Sequence, residues 1–316
     1  MTFTGIPVPY HSRDEWLKLR REGIGGSDVA AVVGLSPWNT PFGVWADKTG
    51  ALDDIDESEP MLWGRLLEDA VMDEWGRRSG LSTIHRGGLF RRVDEPWMMC
   101  TVDGLAVPRG STELADVEAV VEVKLDSSKG WPDGPPAHYV CQVQWQMAVL
   151  GVSTAHVVVL HQGRRLDVHT VAADPEDQTA LIDAARSFWF DHVEAGVAPP
   201  VAADDNRLLG QVWPDDGDGE VEVDGELVAE LADVRRRLDE LSRRRDWLEA
   251  QIKDRLREAQ VGTVDGVRAV SWRAQTRRII DTRRLKAERP DIAEQYTSER
   301  TTRVFRLHWK QEETDG

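Results

Sequence analysis

The chain has 316 residues, 41% hydrophobic and 30% charged, with a formal net charge of −17 at pH 7. That balance suits a soluble globular protein of one large domain plus an appendage, and its sign argues against indiscriminate binding to nucleic acid. Only Cys100 and Cys141 are present, which argues against a disulfide framework and fits a reducing cytoplasm. No apolar run approaches the length of a membrane span, and the first residues lack the basic-then-apolar pattern of a signal peptide.

In chain order, Trp16 to Arg21 reads as a short basic helix running into the turn Gly25-Gly26, and a second helix opens at Ser27 or Asp28, both good N-cap types. Free N–H groups at such a helix start favour an anion. With Arg20 seven residues before Ser27, guanidinium, hydroxyl and amides are placed to grip a phosphate together. An ordinary capped helix after a tight turn explains the same residues. The acidic run from Asp53 to Glu59, with Asp54 and Asp56, reads as a solvated loop. A helix then runs from Leu62 to Ser79 and closes at Gly80. On it Glu68 shares a largely apolar stripe with Val71, Met72 and Trp75. A carboxylate so placed is a candidate ligand or half of a buried pair, while a rim position beside an arginine fits equally.

Strands are expected over His85–Arg92 and Trp97–Val107, broken by Asp94-Glu95-Pro96, and the second carries Cys100-Thr101-Val102-Asp103-Gly104. The chain returns in Ala119-Val120-Val121-Glu122-Val123-Lys124-Leu125. Side chains alternate along a strand, so Glu122 and Lys124 share one face and Val121, Val123 and Leu125 the other. A carboxylate and an ammonium on a core strand are costly unless paired or bound to a metal, and a structural salt bridge is the simpler account of the two alone. Asp103 precedes them on a hairpin-like connection, so the three side chains can meet.

A rigid connector over residues 129–136 leads to a helix from His138 to Gly151, with Tyr139, Gln142, Gln146 and Val149 on one face. The two glutamine amides there need partners. Strands Ala155–Leu160 and Leu166–Val171 form a hairpin through Gln162-Gly163, and a helix from Pro175 to Ala195 ends the core. The expected organisation is a core over 1–200, an acidic linker over 201–226, a heptad helix over 227–260 and a basic α+β segment over 261–316. The heptad seam, Leu227, Leu231, Val234, Leu238 and Leu241, suits a helical hairpin or a coiled-coil contact. Between 261 and 310 twelve bases face six acids, with Trp272, Tyr296, Phe305 and Trp309 interleaved and strands expected at Val267–Trp272 and Val304–Trp309. That is a nucleic-acid footprint, unless these arginines pair with the acidic linker.

Glu68, Asp103 and Glu122 offer hard oxygen donors, which suit Mg²⁺ or Mn²⁺. Such an ion activates water and steadies charge on a phosphoryl oxygen, and a lysine beside it balances the developing charge. Asp103 followed by Glu122-Val123-Lys124 resembles the PD-(D/E)XK nuclease motif, with Val102 where that motif has proline. Arg20, Gly25-Gly26-Ser27-Asp28, Glu68 within Gly64-Arg65-Leu66-Leu67-Glu68, and Tyr139-Val140-Cys141-Gln142 stand in the same order as in the YqaJ viral recombinase or lambda exonuclease family. The resemblance covers about residues 10–195. It implies an α/β, restriction-endonuclease-like core, a mixed β-sheet flanked by helices. It also implies Mg²⁺-dependent digestion of linear double-stranded DNA from 5′ ends, exposing 3′ single strands for recombination. Asp103, Glu122 and Glu68 would serve the metal, Lys124 would position water as a base, Gln142 would orient the catalytic groups, and Arg20 and Ser27 would hold the 5′-phosphate. A phage or prophage setting in a bacterial cytoplasm, a single-strand annealing protein as partner and a homotrimer follow from the same resemblance. A related nuclease acting as an endonuclease or a single-strand trimmer, and a non-enzymatic adaptor for DNA ends or proteins, remain open readings.

Overall fold

The computed structural model describes residues 3–53, 57–299 and 302–308. Asp54 and Asp56 of the expected acidic loop, and Arg300, Trp309 and Lys310 of the basic segment, lie outside these. The chain divides into two units, Met1–Trp213 and Pro214–Gly316.

In the first unit β1 (Gly5–Val8), α1 (Arg13–Arg20), α2 (Gly26–Val32), α3 (Pro41–Lys48) and α4 (Glu59–Ser79) lead into β2 (Leu81–Ile84), β3 (Leu89–Arg92), β4 (Met99–Thr101), β5 (Gly104–Pro108) and β6 (Ala119–Asp126). Helix α5 (Ala137–Leu150), β7 (Thr154–His161), β8 (Arg165–Ala172), α6 (Pro175–Phe188) and α7 (Asn206–Val212) complete it. The central sheet has the order β2-β5-β6-β7-β8, and β6 and β7 are its parallel pair, joined through α5. Strand alternation sorts the two faces. Val71, Met72 and Trp75 of α4 pack with Ala119, Val121 and Val158 on one side. Val143 and Met147 of α5 pack with Val120, Ala155 and Val157 on the other. This is the mixed sheet between helices that the sequence led us to expect.

Two expected strands are each divided, for local reasons. The run His85–Arg92 starts only at Leu89, because His85 (φ 50°) and Gly87 (φ 65°) turn the chain through the left-handed region. The run Trp97–Val107 breaks at Val102-Asp103, where the chain leaves one sheet for another. Strand β4 pairs with β3 in a small sheet of order β1-β3-β4, whereas β5 pairs with β2 and β6. Asp103 sits at that switch. The acid-rich stretch after residue 200 is also partly folded: Leu208, Leu209 and Val212 of α7 pack on the core. Buried Asp205 accepts from the Thr40 hydroxyl and from Ala202 N at 2.6 Å. Its apolar residues, hidden among the acids, account for this order.

The second unit contains α8 (Gly225–Leu256), a hairpin of β9 (Val261–Val264) and β10 (Val267–Ser271), α9 (Thr282–Glu288) and α10 (Pro290–Gln295). None of the α8 residues is buried, and its seam residues Leu238 and Leu241 are 57% and 66% exposed. The expected strand at 304–309 does not form among the described residues 304–308, and Phe305 lies instead 5.6 Å from the guanidinium of Arg235. The ion pairs drawn within the basic segment are local, Arg284–Glu288 at 2.7 Å and Arg289–Asp291 at 2.8 Å.

Helices α2 and α5 approach each other through Gly26, where an added Cβ would lie 3.2 Å from Gln142 Cγ and 3.3 Å from Gln142 O. Overpacking of this kind costs about 1–3 kcal/mol. Gly26→Val is expected to lower stability by about that amount in chemical denaturation, and an unchanged midpoint would show that the two helices have slack.

Candidate active site

Glu122 is 2% exposed although it carries a carboxylate on the central strand. Its Oε1 accepts from Lys124 Nζ at 2.6 Å and Gln142 Nε2 at 2.5 Å, and its Oε2 from Gln146 Nε2 at 2.8 Å. The glutamines stand four apart on α5, one turn along one face, so a single helix delivers both amides. Gln146 also donates to Thr101 O at 3.0 Å, and Trp145 Nε1 to Met99 O at 2.8 Å, which tie α5 to β4. The Gln146 Oε1 atom is buried and has no hydrogen-bond partner. Lys124 lies with its Nζ 4.7 Å from the centre of the Tyr139 ring.

Asp103 reaches the same place from the sheet switch. Strands β5 and β6 pair last at Gly104 and Val121, and beyond that point Asp103 Oδ2 accepts from Val123 N at 2.6 Å in place of a backbone carbonyl. Glu68 arrives from α4, which is held near β5 because Gly104 leaves room for Met72: an added Cβ would lie 2.8 Å from Met72 Sδ. Glu68, Asp103, Glu122 and Lys124 line one cleft of about 690 Å³, with Tyr10 and Arg65 on its walls.

A second cavity of about 260 Å³ adjoins it and contains Arg20, Gly25, Gly26, Ser27, Asp28 and Gln142. The two share Trp16, Thr101 and Asp103. Arg20 is aimed by its neighbours: its Nη2 lies 3.4 Å from Asp28 and 3.3 Å from Asp47, and its guanidinium 5.3 Å from the Trp16 ring centre. Ser27 is exposed at the mouth. Helix α2 opens earlier than expected, with Gly25 rather than Ser27 or Asp28 as its N-cap, and Asp28 stands at its third position. Asp28 Oδ2 accepts from Gly25 N at 2.8 Å and from Lys48 Nζ at 2.6 Å, and Lys48 also donates to Arg20 O at 2.8 Å. Burial works against the charge on both groups, yet Lys48 and Arg20 hold Asp28 below the usual carboxylate range, and burial pulls Lys48 below the usual lysine range. Sequence reasoning missed this pair, since Lys48 had no signal beyond its place in the last turn of α3.

The electrostatics of the large cleft are the reverse. Burial, with Glu122 and Asp69 nearby, pushes Glu68 up to about 7. Burial, Glu122 and Glu68 push Asp103 well above the usual carboxylate range. Burial disfavours the charge on Lys124, but Glu122 and Asp103 more than offset it and its pKa is raised. One lysine cannot neutralise three carboxylates. Their oxygens are the donors a hard divalent cation takes, so the residues present fit Mg²⁺ or Mn²⁺. The thiol of Cys100 is buried, is pushed up by that burial and by Glu122, and does not line this cleft. Each carboxylate comes from its own element, and among the described residues the three are not drawn into a closed ligand set.

All seven residues singled out from the sequence thus line the two adjoining cavities: Glu68, Asp103, Glu122 and Lys124 in the larger, Arg20, Ser27 and Gln142 in the smaller, with Asp103 in both. The YqaJ-like viral recombinase domain matches residues 15–155, a span that contains every one of them. The Bacillus subtilis protein YqaJ is 31% identical over 307 residues, 93% of each chain. The chain belongs to the YqaJ-like viral recombinase family. Protein D345L of African swine fever virus is 23% identical over 194 residues, covering 55% of this chain and 56% of that one. An alkaline exonuclease from Laribacter hongkongensis aligns in structure with a TM-score of 0.47 and 18% identity, over 58% of this chain and 94% of that one.

A carboxylate whose pKa is higher folded than unfolded takes up protons on folding. Its contribution to stability therefore falls as pH rises from the ordinary carboxylate range through the folded value, here about 7 for Glu68. A cation that replaces those protons relieves the penalty, and does so most above that range. Mg²⁺ is expected to raise the thermal midpoint more at about pH 8 than at about pH 5, and Glu68→Gln to reduce the difference. An equal shift at both pH values would separate the cation from these carboxylates.

Proposed function

We propose that the protein is a metal-dependent deoxyribonuclease that degrades linear double-stranded DNA from its 5′ ends, leaving 3′ single strands for recombination with a single-strand annealing partner. The observation that carries this reading is the junction of the two cavities at Asp103. Arg20 and Ser27, suited to a terminal phosphate, line the cavity on one side of that residue, and the groups suited to phosphodiester hydrolysis line the cleft on the other. Membership of a viral recombinase family supports the recombination role.

Asp103, Glu122 and Glu68 would hold Mg²⁺, which polarises the phosphoryl group and lowers the pKa of water when bound. Lys124, paired with Glu122 at 2.6 Å, is placed to position the attacking water and to balance the negative charge that grows on the phosphoryl oxygens. Gln142 and Gln146 fix the Glu122 carboxylate so that it does not reorganise during reaction. Arg20, braced by Asp28 and Asp47 and backed by Trp16, recognises the terminal phosphate by charge-assisted hydrogen bonds. An acidic exterior around such a path keeps the protein from settling on internal duplex.

The test is digestion of linear duplex labelled at either end, and of a closed circle, with Mg²⁺ and with chelator. Mg²⁺-dependent early release of the 5′ label with the circle intact is expected. Asp103→Asn and Lys124→Ala are expected to slow release by at least about 100-fold, and digestion by either at the wild-type rate would overturn the assignment. Cutting of the circle would establish an endonuclease instead. Arg20→Ala is expected to narrow the rate difference between 5′-phosphorylated and 5′-hydroxyl ends, and an unchanged ratio would remove Arg20 from phosphate recognition.

A further inference from the structure

A second cluster of ligating side chains lies on β7 and β8, beside β6 in the same sheet, and has no part in the chemistry above. Strands β7 and β8 pair antiparallel, with Val159 opposite Asp167 and Val157 opposite His169. Side chains two apart on a strand, and those directly paired across strands, share a face. His161, Asp167 and His169 therefore project on one side. Among the described residues their ligand atoms form a set of three lying within 4.8 Å of one another.

The hydrogen bonding of this cluster is incomplete in a directional way. His161 is 2% exposed. Its Nδ1 lies 2.8 Å from Asp126 Oδ2, on the parallel neighbour β6. Asp126 thus occupies Nδ1, which leaves Nε2 as the ring atom open to a ligand. That Nε2 is buried and has no hydrogen-bond partner among the described residues, and the same holds for Nε2 of His169. Buried imidazole nitrogens without partners are uncommon and call for one. Asp167 Oδ2 lies 3.6 Å from His161 Nε2, too far for a hydrogen bond. It fits two ligands on one ion, since bonds of about 2.0–2.1 Å in a tetrahedral arrangement put ligand atoms about 3.3–3.5 Å apart. Arg165 pairs with Asp167 at 2.7 Å, but it is 57% exposed and can release. Trp131 walls the cluster, its ring centre 5.4 Å from that of His161 and 5.8 Å from that of His169.

We propose that His161 Nε2, Asp167 Oδ2 and His169 Nε2 form a zinc-class cation site, with Asp126 orienting His161 from behind and solvent completing the coordination. The donors decide the ion. Two imidazoles and one carboxylate suit Zn²⁺ and its transition-metal neighbours, whereas the all-oxygen cleft at Asp103 suits Mg²⁺. A carboxylate behind a ligating histidine is the usual support of such a site. Bound there, the ion cross-links the two strands of the β7–β8 hairpin. The proposal stands independently of the nuclease reading.

The test uses the full chain, stripped with chelator, reloaded with Zn²⁺ or Co²⁺ and freed of excess metal. One tightly held Zn²⁺ per chain is expected in the wild type and in the Asp103→Asn, Glu122→Gln double variant, and none in His169→Ala or Asp167→Asn. Asp126→Asn is expected to weaken Zn²⁺ by about 10–100-fold. Co²⁺ should give visible absorption bands of a four-coordinate site, abolished by Zn²⁺ and untouched by excess Mg²⁺. Metal-free His169→Ala and metal-free wild type are expected to melt together, with Zn²⁺ raising only the wild type. Should His169→Ala fail to fold, Asp167→Asn carries the same comparison. Absence of bound zinc in the wild type would overturn the site, leaving a His161–Asp126 pair with structural work only. Zinc lost with the carboxylate-cleft variant, or kept by His169→Ala, would place the ion elsewhere and overturn it equally.

Discussion

A carboxylate in the middle of the sheet is the constraint from which the first unit follows. Removing an ion such as Glu122 from water costs several kcal/mol even after relaxation, and the fold must return that through donors placed in advance. Three arrive. Lys124 comes from two positions along the same strand, and Gln142 and Gln146 from one face of α5. For α5 to bring both amides to one carboxylate it must lie close over β6, bonded to β4 through Trp145. With α5 fixed there, α2 reaches it through Gly26, and the turn that carries Ser27 comes to rest beside the same glutamines.

The two buried groups of charge in this unit are built on opposite plans. Asp28 and Lys48 are matched one to one, are closed off from solvent and are braced by Arg20. Such a pair fixes three helices relative to one another and has no capacity for a further ion. Around Lys124 the acids outnumber the base, and the excess shows in the upward displacement of Glu68 and Asp103. A cluster left unbalanced is where perturbed groups and chemistry tend to coincide.

How much of this could be read in advance depended on whether a signal was local. Strand alternation put Glu122 and Lys124 on one face, helical spacing put Glu68 on the stripe of Val71, Met72 and Trp75, and the same spacing joined Gln142 to Gln146. In the structure Lys124, Gln142 and Gln146 all reach Glu122, and Val71, Met72 and Trp75 pack together on the sheet. What sequence spacing could not show was a change of sheet: nothing in Met99 to Val107 marks Val102-Asp103 as the point where one strand becomes two. Nor could it show Asp28 with Lys48, twenty positions apart on separate helices. Residues Leu208, Leu209 and Val212 were submerged in an acid-rich stretch whose average looked like solvent, yet they pack. In the second unit, Phe305 had the composition of a strand and found a cation on a helix instead.

Asp103 has an architectural task besides the chemical one proposed for it. Where the ladder between β5 and β6 runs out, its carboxylate stands in for a missing carbonyl and satisfies an amide that burial would otherwise leave orphaned. An acceptor is thus required here for folding alone, before any reaction is considered. A lineage that abandoned the reaction would still be under pressure to keep a short oxygen-bearing side chain at this position. Asparagine answers that need and alanine does not. Replacement by asparagine therefore removes a single charge at this position without removing the acceptor the fold needs.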